Sequence, residues 1–238
     1  MKFLFLGNDP HLNTVNWDLV ENSTLTVVGI NRSYLLYPKQ DILFMQDPKT
    51  FLELLDNIES NDTIKSYNVC TTRYFKRRLM KERGQRGKKA VLSPEDYSKV
   101  IEALAGELIT VRESNTKIPH HAPFSMINAM TYCFDFYANE IKKSGECVFY
   151  LYGCQLKHRP DNNHFWKSDG VTIRYPKNSP GGSNRLQLVR QLHVFKRIKP
   201  IFDALDIKVV SCNEASKLNL IYPHENLNTV LQKHQKII

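Results

Sequence analysis

The first residues that could carry out chemistry come directly after the first apolar segment of the chain. That segment is Lys2–Leu6, and Gly7, Asn8 and Asp9 follow it. Backbone N–H groups beside a glycine and the side-chain amide of an asparagine can bind a phosphate group or a ribose hydroxyl. The spacing differs from G-x-G-x-x-G and from the Walker motif, which disfavours a standard dinucleotide or P-loop site. The same residues also suit a structural turn, so both interpretations stay open.

A second candidate group lies in a long polar stretch at residues 153–183. Within this stretch, His164 and Lys167 flank the aromatic pair Phe165 and Trp166. An imidazole with an ordinary pKa of about 6.5 can accept a proton from a hydroxyl group, and a lysine can neutralise a leaving phosphate. We therefore predict His164 as a general base and Lys167 as its catalytic partner. The alternative is that the two aromatic side chains anchor the loop to the body of the protein.

The sequence does not predict a metal site. The D-x-D pair typical of many metal-dependent glycosyltransferases does not occur, and two residues separate Asp203 from Asp206. His120 and His121 are adjacent, a spacing that rarely directs both side chains at one ion. We therefore expect no metal cofactor.

The composition is that of a globular protein without a membrane span. Hydrophobic residues make up 42% of the 238 residues and charged residues 24%. No apolar run approaches the ~18 residues that a membrane span needs, and the first residues do not resemble a signal peptide. The five cysteines form no C-x-x-C pair, so we interpret them as buried apolar residues.

The positive charge is concentrated in two segments. Residues 73–89 carry +8 and residues 157–199 carry another +8, although the whole chain carries only +9. This separation favours a polyanionic partner such as nucleic acid, and solvated basic loops are the alternative. We predict a basic insertion at residues 73–92. The predicted acceptor-binding residues are Arg73, Tyr74, Lys76, Arg77, Arg78, Lys81, Arg83, Arg86, Lys88, Lys89, Lys157, Arg159 and Arg185.

Strand-like and helix-like segments alternate along the chain. The predicted strands are residues 2–6, 24–30, 41–45, 64–70, 147–152 and 207–210. The predicted helices are residues 50–58, 93–109, 125–143, 184–205 and 227–234. This alternation predicts one α/β domain over residues 1–238, with a Rossmann-like, mainly parallel sheet flanked by helices. Ligands bind such sheets beyond the carboxyl ends of the strands, where Gly7, Asn31, Asp47 and Gly153 are expected.

Several of these segments together resemble the bacterial sialyltransferases that modify lipooligosaccharide and the related motility-accessory glycosyltransferases. The first strand ends in GNDPHL at residues 7–12, which is similar to the family pattern Gly-Asn-x-Pro-x-Leu. The second ends in VVGINR at residues 27–32 and the third near Asp47. Similar features of the second half are PFSM at residues 123–126, the apolar strand at 148–152, GCQ at 153–155, HFW at 164–166 and IKVVSCNEASKL at 207–218.

The resemblance implies a transferase that needs no metal and takes its sugar from a nucleotide-sugar donor, CMP-linked or UDP-linked. It implies that Gly7, Asn8 and Asn31 contact the nucleotide and that Ser125 lies near the phosphate. It also implies a histidine base in the loop after the central strand, for which we select His164. The complete set of predicted donor-binding residues is Gly7, Asn8, Asp9, Asn31, Asp47, Ser125, Gly153 and Ser216.

The resemblance and the two basic segments together predict a glycosyltransferase with a polyanionic acceptor. Hydroxylated bases in DNA are the predicted acceptor. The predicted location is the cytoplasm, which is the host cytoplasm if a phage encodes the protein. One alternative is sialyltransferase-like transfer to a surface glycan or to flagellin. Another is a non-catalytic nucleic-acid-binding module on the same fold, since Gln155 replaces the aspartate of the family's Gly-x-Asp corner. A nucleotide kinase is disfavoured because the chain has no Walker motif.

Overall fold

A single parallel sheet organises the part of the chain that a computed structural model describes, residues 1–60, 68–72, 94–105, 110–114, 124–156 and 185–237. Its strands are β1 (Lys2–Leu6), β2 (Thr26–Ile30), β3 (Ile42–Phe44), β4 (Asn68–Thr72), β5 (Thr110–Ser114), β6 (Cys147–Tyr152) and β7 (Ile207–Ser211). They lie in the order β5-β4-β3-β2-β1-β6-β7, and all neighbouring pairs are parallel. The predicted Rossmann-like α/β fold is therefore confirmed.

The side chains of the central strands fill two hydrophobic layers, one on each face of the sheet. In β1, Phe3 and Phe5 belong to one layer, whereas Leu4 and Leu6 belong to the other. This alternation follows from the two-residue period of a strand. The ring of Phe5 meets the ring of Phe149 edge to face, with 5.2 Å between their centroids. A sheet that is buried on both faces explains why these strands read as continuous apolar runs.

Helices connect the strands and cover both faces. They are α1 (Trp17–Glu21), α2 (Pro48–Ser60), α3 (Pro94–Ala105), α4 (Ser125–Phe136), α5 (Ala138–Ser144), α6 (Arg185–Ala204) and α7 (Leu227–Lys233). Short 3-10 helices lie at Pro10–Thr14, Asn31–Leu35 and Lys217–Leu220. Helices α4 and α6 pack in the layer of Phe3 and Phe5, and α7 packs in the layer of Leu4 and Leu6.

Two strands begin and end at the predicted residues, whereas other elements differ from the prediction. The strands are β1 and β6, whose apolar runs are bounded by polar or turn residues. The sequence does not predict β5, a strand of five residues at the edge of the sheet. The helix predicted over residues 125–143 is two helices, α4 and α5, which are separated at Tyr137. The Tyr137 ring packs 5.5 Å from the ring of Phe3, between centroids.

The described residues contain no helix that is both long enough and apolar enough to span a membrane. The predicted basic insertion at residues 73–92 lies outside the described residues, and so does most of the predicted loop at residues 153–183.

Candidate ligand-binding site

A topological switch point lies between β1 and β6. From β1 the chain continues outward through β2, β3, β4 and β5, whereas β6 is followed by β7 on the other side. Val20 in the β1–β2 connection packs on one face of the sheet, and Phe195 in the β6–β7 connection packs on the opposite face. In doubly wound sheets such a point opens a crevice beyond the carboxyl ends of the two strands, and ligands bind there.

Two glycines pack backbone to backbone at this switch point. Gly7 follows β1, and its N–H donates to the carbonyl oxygen of Tyr152 at 2.8 Å. Asp9 N–H donates to the carbonyl oxygen of Gly153 at 3.0 Å. A Cβ atom on Gly7 would lie 2.2 Å from that same oxygen, so no other residue fits without moving the backbone. The predicted donor-binding residues Gly7 and Gly153 are therefore neighbours in the fold.

The 3-10 helix Pro10–Thr14 holds a histidine and an aspartate in contact beside these glycines. Asp9 caps the helix, because its Oδ1 accepts the backbone N–H of His11 at 3.0 Å. The same oxygen lies 2.7 Å from Nδ1 of the His11 ring. The Asp9 side chain is 10% exposed and the His11 side chain 35% exposed. Since an ionised carboxylate only accepts, the contact assigns the ring proton to Nδ1 and leaves the lone pair on Nε2.

Gln155, in the segment that follows β6, contacts the ring of His11. Its Nε2 lies 2.9 Å from Nδ1 and 3.1 Å from Nε2 of His11, and the residue is only 1% exposed. The next residue, Leu156, has a positive φ of 54°, a conformation that is strained for a side chain of its kind. Such strain persists where surrounding contacts hold the backbone, and it is concentrated at functional sites.

The loop after β7 holds the loop after β6 in place. The Asn213 side chain accepts the N–H of Gly153 at 2.7 Å, and Asn213 is 2% exposed. Ser216 Oγ donates to the carbonyl oxygen of Cys154 at 3.0 Å, and Lys217 N–H donates to that of Gln155 at 2.9 Å. The hydroxyl of Ser216, predicted to bind the donor, therefore positions the backbone of the site.

Asn31 links the ends of β2 and β3 at the same edge. It has a positive φ of 52°, which asparagine tolerates better than most residues. Its Oδ1 accepts the backbone N–H of Gln46 at 3.4 Å, and Asp47 follows at the start of α2. Arg32, the next residue, forms a buried two-pronged ion pair with Glu53, at 2.6 and 2.8 Å. This pair fixes the segment that carries Asn31.

Asn8 and the beginning of α4 lie beside Gly7 at the carboxyl edge of the sheet. Asn8 Oδ1 is buried and accepts no hydrogen bond from the residues that the structure describes. Helix α4 begins at Ser125, and Met126 Cε lies 3.4 Å from the Cβ position of Gly7. The first turn of this helix therefore lies beside the switch point. The N-terminus of a helix carries partial positive charge and free N–H groups, which suits an anionic ligand.

Burial makes the thiol of Cys154 an unsuitable nucleophile. Burial, with the charge of Asp9 as a smaller cause, raises the pKa of Cys154 to about 12, so the thiol stays protonated at neutral pH. The pKa of Tyr152 is also raised, mainly by burial, and its hydroxyl donates to the carbonyl oxygen of His11 at 3.3 Å. Neither group supplies a ready nucleophile, whereas the side chain of His11 at the same edge is 35% exposed.

Most of the predicted catalytic and acceptor-binding residues cannot be placed by this structure. Those outside the described residues are His164, Lys167, Arg73, Tyr74, Lys76, Arg77, Arg78, Lys81, Arg83, Arg86, Lys88, Lys89, Lys157 and Arg159. Arg185 is the first residue of α6. Within the described ranges, no three side chains of His, Cys, Asp or Glu are grouped so that they could hold a metal ion.

His11 and Asn213 lie at this edge although neither is among the predicted site residues. An indicator of the first was available, because Asp9-Pro10 combines a preferred N-cap residue with the proline typical of a first helical position. A turn capped by Asp9 brings the side chain two residues later back towards the cap. Asn213 has no comparable local indicator.

Comparison with known protein families, with characterised proteins and with solved structures finds no match to this chain.

Proposed function

We propose that the chain is a glycosyltransferase that binds a nucleotide sugar at the switch point between β1 and β6. The observation that carries the proposal is the close packing of Gly7 against Gly153 at that point, where a Cβ atom would lie 2.2 Å from a carbonyl oxygen. This packing holds the ends of β1 and β6 side by side, and doubly wound sheets bind ligands beyond the strand ends at such a point. The same edge carries Asn8, Asn31 and the first turn of α4.

The donor site has a separate candidate contact for each part of a nucleotide. The backbone at Gly7 and the N-terminus of α4 suit the phosphate, because both offer N–H groups to an anion. Asn8 and Asn31 carry amides that can bind the ribose or the base. The resemblance to the sialyltransferases implies transfer without a metal ion, from a CMP-linked or UDP-linked donor.

The proposed acceptor is a polyanion, specifically a hydroxylated base in DNA. The two basic segments of the sequence support it, each with a charge of +8. In the described part, Arg190 and Arg197 are exposed on α6 and lie two turns apart on one face. A hydroxylated base must leave the stack before its hydroxyl can enter an active site, and basic and aromatic side chains favour that extrusion. Transfer to a surface glycan or flagellin remains the alternative acceptor class.

Titration calorimetry with UDP-glucose, CMP-sialic acid and the free nucleotides tests the donor site. We expect one nucleotide class to bind the wild-type chain, and release of free nucleotide to accelerate when a hydroxymethylated DNA duplex is added. Failure of every nucleotide and nucleotide sugar to bind would contradict the proposal.

A second candidate is a nucleic-acid-binding module on a transferase fold. The observation that favours it is Gln155, a buried amide where the resembling family carries a carboxylate. This candidate predicts that the chain binds duplex DNA but releases no nucleotide from any donor, so the same two measurements separate it from a transferase.

A further inference from the structure

We propose that His11, oriented by Asp9, is the group that accepts the proton of the acceptor hydroxyl. This assignment rests on the proposed glycosyltransferase function and names a residue for its chemical step. It differs from the sequence-based prediction of His164, which lies outside the described residues.

The first support is the geometry of the pair. Asp9 Oδ1 lies 2.7 Å from His11 Nδ1, and the backbone N–H of His11 holds the same oxygen at 3.0 Å. The carboxylate is therefore fixed by the turn that carries the histidine. A carboxylate on Nδ1 selects the tautomer with a lone pair on Nε2 and stabilises the imidazolium that forms when Nε2 takes a proton.

The second support is position. His11 lies four residues after Gly7, at the carboxyl edge of the sheet, and its side chain is about one-third exposed beside buried partners. The Gln155 amide contacts the ring from the other side of the switch point. The ring is thus held by residues from the segments that follow β1 and β6, the two strands that border the crevice. Among the other histidines in the described residues, His193 and His224 are exposed and His234 contacts Tyr150.

The step conserves atoms and charge. Once the Gln155 amide, 3.1 Å from Nε2 of His11, has moved aside, the acceptor hydroxyl gives its proton to that nitrogen while its oxygen forms a bond to the anomeric carbon of the donor. The bond from that carbon to the phosphate oxygen breaks, and its electron pair leaves with the nucleotide. The imidazolium, stabilised by Asp9, then releases the proton to water.

Kinetics of single variants test the assignment, with a 5-hydroxymethylcytosine duplex as acceptor and the tightest-binding donor of UDP-glucose and CMP-sialic acid. We expect His11→Gln to lower kcat by about 10²- to 10⁴-fold, the typical contribution of a general base, while the donor Kd stays within about threefold. Added imidazole should restore part of the activity of His11→Ala. Asp9→Asn should lower kcat with little change in KM, because asparagine keeps the cap but does not stabilise the imidazolium.

The exposed His224 supplies the matched control, and His164 the rival residue. His224→Gln should keep kcat within about threefold. Loss of activity in His164→Gln with normal activity in His11→Gln would overturn the assignment while leaving the proposed function intact. A wild-type chain that binds no donor would overturn the proposed function and this assignment together.

Discussion

The Cβ position of Gly7 lies 2.2 Å from the carbonyl oxygen of Gly153, so the ends of β1 and β6 pack too closely for a side chain at position 7. The two residues are far apart in sequence and become neighbours only because β1 pairs with β6 in the sheet. Their contact forms the floor of the proposed donor site. It also places the loops that carry His11 and Gln155 side by side.

Gly7→Ala tests this contact. The new methyl group would meet two backbone atoms of Gly153, at 2.2 and 2.8 Å, and backbone cannot rotate aside as a side chain can. We expect the free energy of unfolding to fall by about 3 kcal/mol or more, measured by urea denaturation.

Gly145→Ala is the control for that substitution. Gly145 has a positive φ of 68°, but no atom lies within 4 Å of its Cβ position. Only backbone strain is added there, so we expect a cost of about 1 kcal/mol. Equal losses in the two variants would contradict close packing at the switch point.

Asn8→Ala is expected to weaken donor binding without destabilising the protein. Asn8 Oδ1 is buried and accepts no hydrogen bond from the described residues, so removing that oxygen breaks no hydrogen bond among them. If a bound nucleotide donates a hydrogen bond to this oxygen, its affinity for Asn8→Ala should be about tenfold lower than for the wild type, as measured by calorimetry. Asn139→Ala, an exposed change on α5, is the control and should leave the affinity unchanged. Unchanged donor affinity in Asn8→Ala would remove Asn8 from the site.

Stability should depend on pH through His234. Burial, and next the charge of Lys2, lower the pKa of His234 below its ordinary value of 6.5, and its Nε2 lies 3.2 Å from the Tyr150 hydroxyl. A histidine whose pKa is lowered in the folded state contributes stability above its unfolded pKa, and this stability is lost as pH falls through the folded pKa.

Denaturation of the wild type and of His234→Gln between about pH 7 and about pH 5 measures this effect. The unfolding free energy of the wild type should fall more steeply with decreasing pH than that of the variant. Parallel curves would show that the protein tolerates a charged His234.

Charge reversal at Arg190 and Arg197 tests whether α6 contacts nucleic acid. Both residues are exposed and lie seven residues apart. If each contacts one phosphate, the double change to glutamate should weaken duplex binding and reduce the slope of log K against log salt by about 2. The control is Lys142→Glu with Lys143→Glu, which changes net charge equally on exposed positions of α5. Equal effects of the two double variants would show that binding depends on net charge alone and would contradict a specific contact of α6 with nucleic acid.

The fold was predictable where hydrophobic pattern decides the structure. Residues 2–6 and 147–152 are apolar without interruption, which is typical of strands buried on both faces. β5 was missed because Arg112 and Glu113 interrupt its five residues, and an edge strand tolerates such charges. The predicted long helix is interrupted at Tyr137, which has a φ of −99° and a ψ of 22° and whose ring packs on Phe3, a tertiary contact that helical periodicity does not register.

The candidate site was predictable in part. Gly7, Asn31 and Gly153 were expected at one edge because parallel strands have their carboxyl ends on the same side. The contact between His11 and Gln155 was not predictable, because it joins residues 144 positions apart. Predicting this contact requires knowing that β1 lies beside β6, and the hydrophobic pattern alone does not determine the order of the strands.

The most direct test of the proposed function is the mass of the nucleosides released from a 5-hydroxymethylcytosine duplex after incubation with the chain and a nucleotide sugar. A plain cytosine duplex of the same sequence is the control, because it lacks the acceptor hydroxyl. We predict that the modified nucleoside gains the mass of one sugar residue and that plain cytosine does not. No gain in mass with any UDP-linked or CMP-linked donor would contradict transfer to DNA.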